Sequence, residues 1–132
     1  MTDDSIRVLL IEDSETDSIL IRHLLSHNGG AKAFQVTTAG RLSEGIERLT
    51  SVDVDVVLLD LILPDSSGLS TFKSLQSQAP DAPVIVLSGL EDSERATKAV
   101  SLGAQDYLIK DQVSADGLIQ AIRYAIERHR RS

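Results

Sequence analysis

Five short aliphatic runs, each followed by a stretch with helical spacing, constrain this chain more than any other feature. The runs cover residues 7–11, 34–37, 54–59, 83–87 and 107–109. They are rich in Val, Ile and Leu, which predicts strands buried on both faces of a sheet. The first helical stretch carries Ile19, Leu20, Leu24 and Leu25 as its apolar face, with Asn28-Gly29-Gly30 as its stop. Helices are further predicted over 42–49 and 68–78, the latter ended by Ala79-Pro80. A fourth follows Asp92-Ser93 and runs to Leu102, where Gly103 suits a C-cap. The last covers 114–130, with Ser114 and Asp116 as N-terminal capping groups and Leu118, Ile119, Ile122, Ala125 and Ile126 on one stripe. Strict βα alternation implies an α/β fold with a doubly wound parallel sheet and right-handed crossovers.

Composition narrows the chemistry. The 132 residues suit a single domain, with no linker, repeat or low-complexity stretch. Only Phe34, Phe72, Tyr107 and Tyr124 are aromatic, so the core must be aliphatic. Thirteen Lys and Arg against 20 Asp and Glu leave a net charge of -7, which disfavours direct binding to nucleic acid. The absence of cysteine excludes disulfides, thiolate catalysis and metal-thiolate centres. No run is long and apolar enough to span a membrane, and Met1-Thr2-Asp3-Asp4 does not open a signal peptide, so a cytoplasmic location is expected.

In a doubly wound sheet, ligands gather at the carboxyl ends of the strands. Here the first strand ends in Glu12-Asp13, the third in Asp60, the fourth in Ser88-Gly89 and the fifth in Lys110. If strands one and three are neighbours, their ends lie about 5 Å apart and three carboxylates converge. Clustered anions repel unless a cation neutralises them. An oxygen-only donor set favours a hard cation, and Mg²⁺ keeps waters and accepts a phosphate. With the Ser88 hydroxyl and the Lys110 charge added, the set describes a phosphoryl site.

Those residues carry a family resemblance. Ile11-Glu12-Asp13, the run from Asp60 to Gly68, Ser88-Gly89 and Asp106-Tyr107-Leu108-Ile109-Lys110 resemble the receiver domain of two-component response regulators. The likeness spans residues 7–130 and implies a flavodoxin-like (βα)5 fold with strand order 2-1-3-4-5. It implies that Asp60 is the phosphoacceptor, and that Glu12, Asp13, Asp60 and the backbone carbonyl of Ile62 hold Mg²⁺. Lys110 would pair with the phosphoryl group, while Ser88 and Tyr107 would act as the switch pair. Tyr107 beside leucines also suits plain core packing. The resemblance further implies a histidine kinase or histidine phosphotransfer protein as donor. It would make the chain a switch rather than an enzyme in its own right, apart from self-phosphorylation and slow autodephosphorylation.

Ile62 and Leu90 stand two residues beyond Asp60 and Ser88, where they are expected to flank the phosphoryl group. Neither can orient an attacking water, so slow phosphate loss is expected. A haloacid-dehalogenase-type phosphatase would need a second acid at Ile62, and a flavodoxin-like FMN site would place no acid pair after the first strand. A pseudo-receiver that only docks partners would be expected to lack one of the acids or the lysine. His23 and His27 have a metal-compatible spacing but no accompanying carboxylate motif, so a solvated helix face is expected. The basic end at Arg123, Arg128, Arg130 and Arg131 suits a helix C-terminus. The stripe running to the end of the last helix is expected to contact an output domain or downstream partner, or to support a homodimer.

Overall fold

The aliphatic runs pair into one parallel sheet. In chain order, the computed structural model holds β1 (Ile6–Ile11), α1 (Glu15–Asn28), β2 (Phe34–Ala39), α2 (Leu42–Ser51), β3 (Val56–Asp60), β4 (Ile62–Leu63), β5 (Ser66–Ser67), α3 (Leu69–Gln78), β6 (Val84–Ser88), α4 (Ser93–Ser101), β7 (Asp106–Ile109) and α5 (Ala115–Arg131). It describes residues 5–28 and 33–131, so the expected Gly29-Gly30 stop lies outside the described residues. The sheet order is β2-β1-β3-β6-β7, all parallel. With the small antiparallel hairpin β4-β5 set aside, this is the expected 2-1-3-4-5 order.

Side chains alternate across the sheet, as the two-residue period of a strand requires. Leu9, Ile11, Val57, Leu59 and Val86 face α2, α3 and α4, where they meet Leu42, Phe72, Leu75, Ala96 and Ala99. Val8, Leu10, Leu58, Ile85 and Leu87 face the other way, onto Ile21 and Leu25 of α1 and Leu118, Ile122 and Ala125 of α5. Burial on both faces holds for β3, β6 and most of β1. It fails for β2 and β7, which are edge strands with one neighbour each: Gln35 and Thr38 are exposed and β7 is only half-buried.

The apolar face of α1 also differs from expectation. Ile19 and Leu20 are exposed, Leu24 is partly buried, and Ser18, Ile21 and Leu25 form the packed stripe. Ile19, Leu20 and Ile21 are consecutive and fan across about 200° of the helix, so only one can point at the sheet.

Local chemistry sets the element ends. Asp55 leaves the strand because its carboxylate accepts the Arg7 N–H at 2.7 Å and also bonds the Arg7 guanidinium. Ser114 caps α5 by accepting the Gly117 N–H at 3.0 Å. Gly103 follows α4 with φ 127°, a left-handed conformation that suits glycine. The start of α2 is capped from a distance: Arg41 offers no side-chain cap, and Asp65, in the β4-β5 turn, accepts the N–H groups of Leu42 (2.9 Å) and Ser43 (3.0 Å). These backbone bonds hold the Asp65 carboxyl below its usual value.

Within α2, a Cβ at Gly45 would meet the Cδ1 and Cγ1 atoms of Ile11, which is fully buried and has nowhere to move. A Cβ at Gly40 would meet nothing within 4 Å. Gly45→Ala is therefore expected to destabilise the protein by about 1–2 kcal/mol despite alanine's higher helix propensity. Gly40→Ala should be near neutral. Urea denaturation of both variants checks the contrast.

Candidate functional site

The neighbouring ends of β1 and β3 bring the acids together. Glu12 and Asp13 follow β1, Asp60 closes β3, and ligand oxygens of all three lie within 4.8 Å of one another. Glu12 and Asp60 are buried, whereas Asp13 is exposed. Lys110 follows β7 and reaches back across the end of the sheet. Its Nζ lies 2.7 Å from Glu12 Oε1, 2.8 Å from Asp60 Oδ2 and 2.9 Å from Asp17 Oδ2. The Lys110 N–H bonds the Ser88 carbonyl at 2.9 Å, so the β6 and β7 ends are tied beside the pocket. The other Asp60 oxygen, Oδ1, accepts the Ile62 N–H at 2.9 Å.

The resulting pocket, about 310 Å³, is lined by Glu12, Asp13, Ser14, Asp17, Asp60, Ile62, Gly89, Glu91, Asp92, Lys110 and Asp111. A larger groove of about 570 Å³ lies at the opposite end of the sheet, among Arg7, Asp55, Arg123 and Arg130. Its acids, Asp55 and Glu127, stand among three arginines, whereas the smaller pocket gathers the acids of two strand ends around one lysine.

Burial pushes the Glu12 carboxyl up to about 7; its hydrogen bond with Asp60 adds to this, against the opposing pull of Lys110. Burial alone would lower the Lys110 value, but hydrogen bonds to Asp60, Glu12 and Asp17 reverse this and keep the ammonium charged. The donor set is oxygen-only and suits a hard divalent cation. The local structure is fully satisfied: among the described residues no buried side-chain polar atom lacks a hydrogen-bond partner.

The remaining sequence-derived positions fall in different places. Ser88 is buried, and its hydroxyl donates to the Gly89 carbonyl at 2.7 Å. Tyr107 is half-buried against the cluster facing α3 and α4. Ile62 lines the pocket. Leu90 does not: it is exposed on a single 3₁₀ turn, Leu90–Asp92, and Glu91 and Asp92 line the pocket instead. The His27 side chain lies outside the described residues, so the His23–His27 pair has no described geometry. Sequence reading missed Asp17, Glu91, Asp92 and Asp111. Asp17 was open to discovery, since it stands in the first turn of the helix that follows the acid pair.

A parallel 2-1-3-4-5 sheet with acids at the first and third strand ends and a lysine at the fifth is the arrangement of a signalling receiver. The sequence matches the response regulator receiver domain over residues 8–123, and the chain belongs to that family, which serves two-component signalling. Over 122 residues it is 34% identical to the cell cycle response regulator CtrA of Brucella ovis, covering 92% of this chain and 50% of that protein. The chain thus spans about half the length of the curated relatives it matches. Among solved structures, a response regulator receiver domain protein from Clostridium thermocellum aligns with a TM-score of 0.80 at 33% identity, covering 95% of this chain and 97% of that one. The receiver domain of NtrX from Brucella abortus aligns with a TM-score of 0.79 at 28% identity, over 91% and 98%. Among the described residues, no helix is long and apolar enough to cross a membrane.

The raised Glu12 value sets a pH dependence. The folded chain holds this proton up to about 7 and the unfolded chain only to about 4.5, so between them the folded state binds more protons. This group's contribution to stability therefore falls as pH rises through that window. Above it, a buried carboxylate stands charged, and a bound divalent cation would offset that charge. Urea denaturation with and without MgCl₂ should show Mg²⁺ stabilising the protein more at pH 8 than at pH 5.5. Equal stabilisation at both values would count against Glu12 as a ligand.

Proposed function

We propose that the chain is a phosphorylation-dependent switch in which Asp60 accepts a phosphoryl group from a histidine kinase or histidine phosphotransfer protein. One observation carries the reading: the Asp60 carboxylate is held between the Lys110 ammonium and the Ile62 N–H, beside Glu12 and Asp13. An Asp60 oxygen forms a bond to phosphorus as the P–N bond of phosphohistidine breaks. The electron pair leaves on the ring nitrogen, and the other nitrogen keeps its proton, so neutral imidazole departs. Lys110 offsets charge on the transferring phosphoryl oxygens, and the fixed Ile62 N–H orients Asp60, so catalysis is positioning and electrostatics.

Glu12, Asp13, Asp60 and the Ile62 carbonyl are the residues that would hold Mg²⁺, and their hard oxygen donors fit it. When bound, Mg²⁺ supplies neutralising charge for the phosphoryl oxygens. Ser88, turned from the Gly89 carbonyl toward the new phosphoryl oxygens, and Tyr107, moving into the space left behind, would shift the surface of α4, β7 and α5. That surface and the stripe of α5 would carry the signal to an output domain or partner. The shares of the longer relatives covered favour an output domain, since this chain corresponds to about half of them.

Incubation with acetyl phosphate and Mg²⁺ should add about 80 Da to the intact mass, the expected increment for one phosphoryl group on the carboxylate. The adduct should be absent without Mg²⁺ and in Asp60→Asn. No adduct from acetyl phosphate or from a phosphorylated histidine kinase would leave only a docking role. Ile62→Asn should hasten decay of the adduct, because Ile62 lines the pocket and the change supplies a polar group that can orient water, whereas Leu90→Glu, on a side chain outside the pocket lining, should leave the decay unchanged. Unchanged or slower decay in Ile62→Asn would sink the idea of a slow intrinsic phosphate loss.

A further inference from the structure

Lys110 reaches the pocket on a long side chain from the turn after β7, and three carboxylates fix its tip: Glu12 at 2.7 Å, Asp60 at 2.8 Å and Asp17 at 2.9 Å. The proposed chemistry asks different things of the three. Asp60 becomes the acyl phosphate, and its place on the lysine passes to the phosphoryl oxygens. Glu12 belongs with Asp13 and Asp60 to the acids whose ligand oxygens lie within 4.8 Å of one another, so it shares its charge with the cation they would hold. Asp17 belongs to neither group. Its bond to Lys110 is the one that neither the phosphoryl group nor the cation claims.

The backbone beneath Asp17 is also fixed independently of the pocket. It sits in the first turn of α1, where its N–H donates to Ser14 Oγ at 3.2 Å and the Ser18 N–H donates to the Ser14 carbonyl at 2.9 Å. Further along the helix, Ile21 and Leu25 are packed in the core. The Asp17 side chain is 33% exposed, so water eases the cost of its charge, and the helix dipole favours that charge.

From this geometry we infer that Asp17 is a positioning residue for phosphorylation of Asp60. It ties the Lys110 ammonium to α1 while the other contacts of the lysine change, and so keeps the charge aimed at the phosphoryl oxygens. The inference rests on the phosphoacceptor role proposed for Asp60. Asp17 acts through Lys110 and needs no contact with the phosphoryl group or the cation. Without it, a flexible side chain loses its fixed point on a packed element.

The test compares Asp17→Asn with Glu15→Gln, which removes the other first-turn acid of α1 and no bond to Lys110. Each variant loses one charge at the same helix end, so effects of charge and helix stability alone appear in both. Proton exchange at the Lys110 ammonium is followed by ¹⁵N NMR in the Mg²⁺-bound protein and again during steady phosphorylation by acetyl phosphate. It should be faster in Asp17→Asn than in Glu15→Gln in both states. Equal exchange in the phosphorylated state would mean that Lys110 is held without Asp17, which overturns the inference. The rate of Asp60 phosphorylation at saturating Mg²⁺, followed by intact mass, should fall about tenfold in Asp17→Asn, the order expected when a charged group loses its fixed position. Glu15→Gln should stay near the wild-type rate. An unchanged or faster rate in Asp17→Asn also overturns the role. Mg²⁺ binding by calorimetry should be alike in the two variants; a dissociation constant raised in Asp17→Asn alone would make Asp17 a ligand of the cation instead. If wild type forms no adduct, the phosphoacceptor reading fails, while exchange in the Mg²⁺-bound protein still decides whether Asp17 holds the lysine.

Discussion

A lone ammonium among carboxylates is the interaction on which the rest of the site depends. Seven carboxylates and one lysine line the pocket: Glu12, Asp13, Asp17, Asp60, Glu91, Asp92 and Asp111 around Lys110. Such crowding is tolerable only because the sheet beneath is rigid and aliphatic. Parallel strands deliver β1 and β3 side by side, and the β6–β7 pair brings Lys110 back over them. Packing on both faces of β3 and β6 leaves the strand ends little freedom to splay apart and relieve the repulsion. The core therefore supplies the frame that holds the strand ends together, and the lysine supplies the charge that the frame alone cannot.

Much of that frame was legible in the sequence because burial leaves a direct mark. Central strands must be aliphatic throughout, and β3 and β6 read that way. Edge strands leave a weaker mark. Phe34 is core and Val36 packs against it, as read, yet β2 has only β1 beside it, and Gln35 and Thr38 meet solvent. The face of α1 was misread for a related reason: a block of adjacent apolar residues says that a helix is partly buried but not which of them points inward. Ile21 and Leu25 pack against the sheet and small Ser18 is buried, while Ile19 and Leu20 are exposed.

The site was legible where backbone topology alone places a side chain, as at Glu12, Asp13, Asp60 and Lys110. It was not legible where a loop's turn decides direction. Counting two residues from Ser88 reaches Leu90, but the 3₁₀ turn there points Leu90 to solvent and brings Glu91 and Asp92 to the pocket. Asp17 and Asp65 belong to a third class. Their partners, Lys110 and the α2 N-terminus, are distant in sequence, and only the folded geometry pairs them.

The Asp65 contact makes two parts of the chain answer for one another. The hairpin that starts two residues after Asp60 reaches over with its turn and supplies the cap that Arg41 does not. Asp65 thus caps N–H groups that stand 23 and 22 residues before it in the chain. A chain with Asp or Ser at 41 would free its hairpin to vary in length and sequence, whereas a chain with Arg at 41 binds the shape of the hairpin to the entry of α2. A displacement of the segment that follows Asp60 would in this way pass to a helix on the sheet's flank, through two hydrogen bonds that lie outside the core.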